Sequence, residues 1–216
     1  SIPEEYGGLG LNTLGECLVY EEISRGNASI RTRFSTNTGI GSLGILYDGT
    51  EEQKRKYLPD IASGKKTAAF ALTETDAGSD ASAIKTTAER RGDHFVINGN
   101  KMFITNGAIA DLFTVMAVTD KEKRGRGGIT AFIVEKGLPG FGVGKHEQKM
   151  GLRGGTTTEL IFQDCPVPAQ NVIGGEAFIG QGFKTSMKVL DKGRLTLAAA
   201  SVGMAQRALE VSVCYA

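Results

Sequence analysis

The sequence predicts an α+β fold in three consecutive parts: a helical part at residues 1–66, a β part at 67–176 and a second helical part at 177–216. Apolar residues recur three and four apart before Thr67, which is the spacing of an amphipathic helix. Short runs rich in Phe, Ile, Val and Thr then alternate with turn residues, as in strands. Helical spacing returns after Gly182. We expect the middle part to form an antiparallel β-barrel or sandwich.

Capping signals indicate two helices in the first part. A Ser/Thr-x-x-Glu/Gln pattern begins at Thr13 and again at Thr50, and apolar residues follow each on one side. Pro59 lies inside the second run and predicts a break or restart of that helix, because proline lacks an amide donor. Gly64 is expected to end the helix. Between the helices, Gly39–Gly44 matches the GxGxxG dinucleotide pattern, but without a preceding strand close helix packing is the better interpretation.

The strands of the middle part are predicted from short apolar runs with turn residues between them. These runs are TAAFALT, HFVIN, KMFIT, LFTVMAV, ITAFIV and TELIF. Asn98–Gly99 lies between the second and third runs and predicts a tight hairpin turn, for which Asn-Gly is the strongest short signal.

The last part carries apolar residues from Phe183 to Leu209 at helical spacing, which predicts one long helix or a helix pair. The sequence has no initial Met, and no Gly, Asn or Pro caps its last residues. We therefore expect it to be part of a longer protein.

Composition excludes several classes of protein. Lys and Arg total 25 against 24 Asp and Glu, so there is no overall field that attracts nucleic acid or an anionic membrane. No apolar run approaches the length of about 18 residues that a membrane span needs. The 3 cysteines are scattered and favour a reducing compartment, and the 2 histidines lack a metal-ligand spacing. The motifs of serine hydrolases, P-loop proteins and zincins are missing.

The candidate binding site consists of two motifs in the β part. FALTETDAGSD occupies residues 70–80 and MFITNG occupies 102–107. Each joins an apolar extended segment to a loop rich in hydroxyl, Gly or Asp residues. Such loops offer backbone and hydroxyl hydrogen bonds to a flat polar ligand, so we expect a cofactor site.

Several segments together resemble the acyl-CoA dehydrogenase family. They are TETDAGSD at 73–80, INGNKMFITNG at 97–107, ITAFIVEKGLPGF at 129–141, MGLRGGTTTELIFQDCPVP at 150–168 and LDKGR at 190–194. The resemblance covers nearly the whole chain in the expected order. It implies the end of the family's N-terminal helical domain, a complete middle β-domain and the first helix region of a truncated C-terminal bundle.

The resemblance also implies an FAD site formed by the two motifs. The implied cofactor-binding residues are Phe70, Leu72, Thr73, Gly78, Ser79, Phe103, Ile104 and Thr105. Thr73 matches a residue at the flavin pyrimidine edge, and Ser79 lies near the cofactor phosphates. Phe103 matches an aromatic residue beside the isoalloxazine, and Thr105 matches the residue that hydrogen-bonds the N5 region. Such donors stabilise the electron-rich reduced ring, and an apolar cover excludes water.

Substrate binding is implied for Ser79, Asp191 and Arg194. Asp191 and Arg194 stand three residues apart, so they share a face of a helix, and the matching family positions contact the CoA portion of the substrate. The alternative is a surface ion pair, which contributes less than about 1 kcal/mol.

The implied reaction is α,β-dehydrogenation of a short- or medium-chain acyl-CoA to the trans-2-enoyl-CoA. A carboxylate base removes the α-proton, and the β-hydrogen leaves as hydride to the flavin. In one branch of the family the base immediately precedes the helix arginine, but that position is Gly193 here. The base is therefore expected beyond Ala216, no catalytic residue is expected in this chain, and residues 1–216 alone are expected to be inactive.

The partners implied by the resemblance are the acyl-CoA substrate, an electron-transferring flavoprotein and the other subunits of a full-length homotetramer. No nucleic acid, metal or membrane span is expected. The implied location is the bacterial cytoplasm, or the mitochondrial matrix in a eukaryote. Two alternatives stay open: an acyl-CoA oxidase that passes electrons to oxygen, and a non-catalytic binding member of the fold.

Overall fold

A computed structural model describes residues 2–216, with helices before and after a β-sheet. The α-helices are α1 (Thr13–Gly26), α2 (Ala28–Ser35), α3 (Gly41–Asp48), α4 (Glu51–Ala62) and α5 (Gly182–Tyr215). The strands are β1 (Ala68–Ala71), β2 (Thr87–Arg91), β3 (His94–Thr105), β4 (Leu112–Val118), β5 (Ile129–Glu135), β6 (Phe141–His146) and β7 (Thr157–Pro168). This order confirms the predicted α+β fold. The single helix α5 settles the choice between one long helix and a helix pair.

The predicted capping box at Thr13 is wrong by one residue. Asn12 is the N-cap of α1, and its side chain accepts a hydrogen bond from the Gly15 amide at 2.8 Å. Asparagine is among the best N-cap residues, so Thr13 already belongs to the first turn. The box at Thr50 is confirmed, because its hydroxyl accepts from the Gln53 amide at 3.2 Å while the Gln53 side chain accepts from the Thr50 amide at 3.0 Å.

The predicted break at Pro59 is also wrong. Helix α4 runs through Pro59 to Ala62, and Gly64 follows with a positive φ of 76°. Leu58 and Ile61 are fully buried on the inner face of α4. Burial of such a side chain contributes about 1.5–3 kcal/mol, enough for two of them to offset the roughly 3 kcal/mol that an interior proline costs.

The interpretation of Gly39–Gly44 as a close-packing segment is confirmed. A π-helical turn at Thr36–Ile40 is kinked at Gly39, and α3 then runs beside β1. A Cβ atom on Gly41 would lie 2.9 Å from the backbone carbon of Ala68, which is too close for any side chain. The glycine is therefore required for α3 to approach the sheet.

The sheet has the strand order β1-β4-β2-β3-β7-β6, and β5 also pairs with β4. The β2–β3, β3–β7, β6–β7 and β4–β5 pairs are antiparallel, as predicted. The β1–β4 pair is parallel, and β2 meets β4 in parallel orientation at a single residue pair. The apolar runs did not predict β2 or β6, because TAERR is mostly polar and FGVGKH contains two glycines.

The predicted hairpin turn at Asn98–Gly99 is wrong, since β3 continues through both residues with a bulge after Ile97. The turn lies instead at Gly92–Asp93, between β2 and β3. Gly99 has a φ of 144°, and a Cβ there would come within 2.8 Å of the Thr86 backbone. Glycine inside a strand often marks a close backbone approach, which is its role here.

Two apolar cores lie on the two sides of the sheet. The first joins helices α3, α4 and α5 to the sheet and includes Leu43, Tyr57, Ile61 and Val189. The second lies within the curled sheet and includes several aromatic rings, among them Phe113, Phe132 and Phe162. None of the helices in residues 2–216 combines the length and the apolar character that crossing a membrane requires.

Candidate functional site

The two sequence motifs lie side by side and form one wall of a cavity of about 510 Å³. The Met102 amide at the start of the second motif donates to the Thr73 carbonyl of the first at 2.8 Å. All eight of the predicted cofactor-binding residues line this cavity, together with Arg194 from α5. The opposite wall comes from the helices, with Ile40, Phe183 and Leu190. A cavity of this size that combines apolar walls with convergent polar groups is typical of small-molecule sites.

Phe103 is presented to this cavity by a distortion of β3. The register between β3 and β7 shifts between Lys101 and Ile104, so Phe103 lies in a bulge. Its φ is +59°, which is rare for an aromatic residue, and its side chain is 58% exposed. Bulges next to functional sites re-aim side chains, and strained residues of this kind cluster at ligand sites. The backbone therefore presents this ring to the cavity.

Hydroxyl groups supply the polar part of the same wall. Within residues 2–216, the hydroxyls of Thr73, Ser79 and Thr105 make no hydrogen bond to the protein. Gly78 leaves open space beside them, since a Cβ atom there would meet nothing within 4 Å. These donors and acceptors are available to a bound molecule.

A buried ion pair that the motif analysis missed lies behind this wall. Lys101 is fully buried, and its ammonium donates to a Glu74 carboxylate oxygen at 2.7 Å and to the Leu72 carbonyl at 3.1 Å. The Glu74 carboxylate also accepts from the Lys85 and Thr86 amides, at 2.6 and 3.0 Å. The pair therefore ties the first motif to β3. The available signal was a lysine directly before the apolar residues Met102–Ile104.

Both members of this pair have shifted pKa values. Burial lowers the pKa of Lys101 to about 8, although the Glu74 charge acts to raise it. For Glu74, burial acts to raise the pKa, but the Lys101 charge and the hydrogen bonds from Thr86 and Lys85 outweigh it, so the pKa is lowered. The carboxylate is thus held in its charged form.

The predicted substrate-binding residues differ in placement. Arg194 and Ser79 line the cavity, whereas Asp191 does not. Asp191 accepts a hydrogen bond from Arg194 on the exposed face of α5, and both side chains are largely in solvent. The structure therefore brings Arg194 and Ser79 together, and Asp191 contacts the site only through Arg194.

A second cavity of about 290 Å³ adjoins the first. The two share Thr36, Ile40, Thr105, Leu190 and Arg194 as common walls. The end of the second cavity that lies away from the first is formed by α1, α2 and the middle of α5. Its lining includes Gly193 and an arginine, Arg31, that sequence analysis did not single out.

No group of three or more side chains suited to holding a metal occurs among the described residues, 2–216. The two cavities are lined by Thr and Ser hydroxyls, aromatic rings, cationic side chains and the Asp80 carboxylate. This combination suits a flat cofactor next to an anionic substrate.

Three models of one protein family match successive parts of the chain. They are the N-terminal domain of acyl-CoA dehydrogenase at residues 1–65, its middle domain at 69–165 and its C-terminal domain at 180–216. An acyl-CoA dehydrogenase of Bacillus subtilis is 48% identical over 215 residues, which are 100% of this chain and 56% of that protein.

Solved structures of the same family also match. The butyryl-CoA dehydrogenase of Megasphaera elsdenii is 44% identical with a TM-score of 0.93, covering 98% of this chain and 55% of that one. An acyl-CoA dehydrogenase of Bacillus anthracis, solved with FAD, is 43% identical with a TM-score of 0.91, covering 100% of this chain and 36% of that one.

The chain has a cavity between a β-sheet and flanking helices, with both sequence motifs on its wall. This chain belongs to the acyl-CoA dehydrogenase family. It spans about half the length of the curated relatives that it matches.

Proposed function

We propose that the full-length protein is an FAD-dependent dehydrogenase that converts a short- or medium-chain acyl-CoA to the trans-2-enoyl-CoA. The observation that carries this proposal is the convergence of both motifs on one cavity, with the exposed Phe103 ring and three unpaired hydroxyls on its wall. The Megasphaera relative acts on butyryl-CoA, which supports a short acyl group.

The residues of the larger cavity fit a flavin. The Phe103 ring offers an aromatic face, and the Thr73 and Thr105 hydroxyls can hydrogen-bond the polar edges of a flat heterocycle. Gly78 leaves room for a ligand to approach the backbone, and Ser79 adds a hydroxyl where a phosphate would lie. The aromatic ring, hydroxyls and open backbone that FAD requires are therefore all present.

The bound FAD would accept the hydride that leaves the β-carbon of the substrate. Thr73 and Thr105 would hold the ring system at its pyrimidine edge and near N5. Phe103 and Phe70 would exclude water from that region. Because the Lys101–Glu74 pair fixes the Leu72 carbonyl, these donors would be pre-positioned before the substrate arrives.

We place the substrate across the boundary of the two cavities, with Arg194 and Ser79 on the CoA side and Asp191 orienting Arg194. The proton acceptor is proposed to be a glutamate outside residues 1–216. Gly193 supplies no carboxylate, and even a Cβ there would lie 3.0 Å from the Ile40 side chain. A larger residue would require Ile40 to move, which supports a base from another part of the protein.

Electrons are proposed to pass from the reduced cofactor to an electron-transferring flavoprotein, and the full-length enzyme is proposed to be a homotetramer. The free cysteines fit a reducing compartment, the bacterial cytoplasm or the mitochondrial matrix.

The proposal is tested by measuring FAD in the purified full-length protein and in a Thr105→Val variant. Loss of one hydrogen bond to the cofactor is expected to raise the FAD dissociation constant about 2- to 10-fold. Thr87→Val on β2 is the matched control and should bind FAD as the unmodified protein does. A protein without flavin, or equal weakening by both substitutions, would contradict the assignment.

A further inference from the structure

The smaller cavity contains a cationic side chain without an acidic partner. Arg31 on α2 lines this cavity and is half-buried. One guanidinium nitrogen donates to the Ser35 hydroxyl at 3.1 Å, while Nε is buried and has no hydrogen-bond partner. No carboxylate of residues 2–216 lies within ion-pair distance of it. Burial lowers the pKa of Arg31, with only Tyr20 acting in the opposite direction.

The other cations of this cavity are already paired. The Lys192 ammonium lies 2.8 Å from a Glu16 carboxylate oxygen, and Arg194 donates to Asp191. Among the described residues that line this cavity, Arg31 is thus the cationic side chain that has no carboxylate as an ion-pair partner. Removing a guanidinium from water is costly unless an anion and hydrogen bonds replace the solvent. Its planar donor fork matches a carboxylate, which it can bind through two parallel hydrogen bonds.

Arg31 lies where the acyl end of a bound substrate is expected. Its cavity is separated from the cofactor cavity only by shared walls that include Thr105 and Leu190. An acyl chain whose thioester lies beside the flavin would therefore extend toward α2. At about 290 Å³ the cavity is at the small end of the range for ligand sites, which favours a short chain.

We propose that the acyl group of the substrate carries a carboxylate at the end away from the thioester, and that Arg31 binds this carboxylate. The inference rests on the proposed function and narrows its substrate class to short ω-carboxyacyl-CoA esters. The neighbouring Thr32 and Ser35 hydroxyls donate to the Ala28 and Thr32 carbonyls, so the guanidinium of Arg31 is the group that would donate to the carboxylate. Arg31 is a specificity residue, since the reacting carbons lie at the other end of the chain.

The test compares esters of equal chain length with and without the terminal carboxylate: glutaryl-CoA against pentanoyl-CoA, and adipoyl-CoA against hexanoyl-CoA. Binding to the dithionite-reduced full-length holoenzyme is measured anaerobically by calorimetry, because reduced flavin cannot accept a hydride and no turnover occurs. At least one of the two carboxyacyl esters is expected to bind about 10- to 100-fold more tightly than the hydrocarbon ester of the same chain length. Arg31→Gln should remove most of this preference while leaving hydrocarbon esters nearly unaffected, and Arg31→Lys should keep part of it.

Arg33→Gln is the matched control, because Arg33 lies on the same helix with an exposed side chain. It should leave the preference unchanged. Equal or tighter binding of both hydrocarbon esters by the unmodified holoenzyme would overturn the inference, and that comparison needs no folded variant. An unchanged preference in Arg31→Gln would also overturn it. If no ester of either kind bleaches the oxidised flavin, the proposed function itself fails, which is a different outcome.

Discussion

Removing Lys101 should destabilise the protein through the charge that it leaves behind. Lys101→Met keeps the length of the side chain and its apolar stem, but it leaves Glu74, whose side chain is only 8% exposed, without its cation. Breaking a buried ion pair by removing one partner costs about 3–5 kcal/mol. Glu74 keeps the Lys85 and Thr86 amides as hydrogen-bond donors, so we expect the lower end, about 3 kcal/mol.

The double variant Lys101→Met/Glu74→Gln separates the ion pair from simple packing. The single carbonyl oxygen of glutamine can accept only one of the two amide hydrogen bonds, because the Lys85 and Thr86 amides donate to different oxygens of Glu74. No unpaired charge is left buried, however, so the double variant should lose about 1–2 kcal/mol, less than Lys101→Met alone. The free energy of unfolding of the full-length protein is measured by denaturant titration with circular dichroism. Lys85→Met is the control, because its ion pair with Asp76 lies in solvent, and it should change stability very little.

Strictly additive effects of the two substitutions would refute this account, because residues joined by a strong pair interact in a double-mutant cycle by roughly 0.5–3 kcal/mol. An unchanged stability in Lys101→Met would refute it as well. Either result would mean that the pair does not hold the first motif against β3.

Three further predictions concern the same domain. Phe103→Gly should raise the free energy of unfolding by about 1 kcal/mol, since glycine adopts a positive φ without strain. The same substitution should weaken FAD binding. A lower free energy of unfolding would argue against backbone strain at this position. Gly99→Ala should destabilise by about 1–3 kcal/mol in the same unfolding assay, because its Cβ would meet the Thr86 backbone; an unaffected midpoint would exclude this contact. The lowered pKa of Lys101 means that the folded state binds fewer protons than the unfolded state between pH of about 8 and 10.5, so this residue makes stability rise with pH there. The lowered pKa of Glu74 stabilises the folded state at pH values above about 4.5, the pKa of the unfolded state, and this stability is lost as the pH falls through the pKa of the folded state. The free energy of unfolding is measured as a function of pH. Lys101→Met should lose the pH dependence near pH 8 to 10.5, and Glu74→Gln should lose the acid one.

The order of helices and strands was predictable because it depends on periodicity. Strands β4 and β5 carry regular apolar patterns and are buried almost throughout. Helix α5 was predicted by its apolar spacing, although Leu195, Val202 and Leu209 of that pattern are exposed. The errors arose where tertiary contacts override a local signal. Gly99 serves a close approach to Thr86 rather than a turn, and Pro59 lies in a helix that is held by its buried face.

The candidate site was predictable as a set of residues because both motifs are contiguous in sequence. The features behind the site were not. The Lys101–Glu74 pair joins residues 27 positions apart, and Arg31 reaches the smaller cavity only because α2 and α5 come together. A single sequence gives no signal for a missing charge partner, which becomes visible only when distances are known.

The central claim, that this chain holds the electron acceptor of an acyl-CoA dehydrogenase, is tested most directly by flavin absorbance. The full-length holoenzyme is mixed anaerobically with butyryl-, hexanoyl- and glutaryl-CoA, and absorbance of the oxidised flavin is followed. Rapid bleaching by at least one ester is predicted, and residues 1–216 alone should not bleach. A flavin that stays oxidised with every ester would contradict the proposed function, and rapid bleaching by residues 1–216 alone would contradict the assignment of the base to another part of the protein.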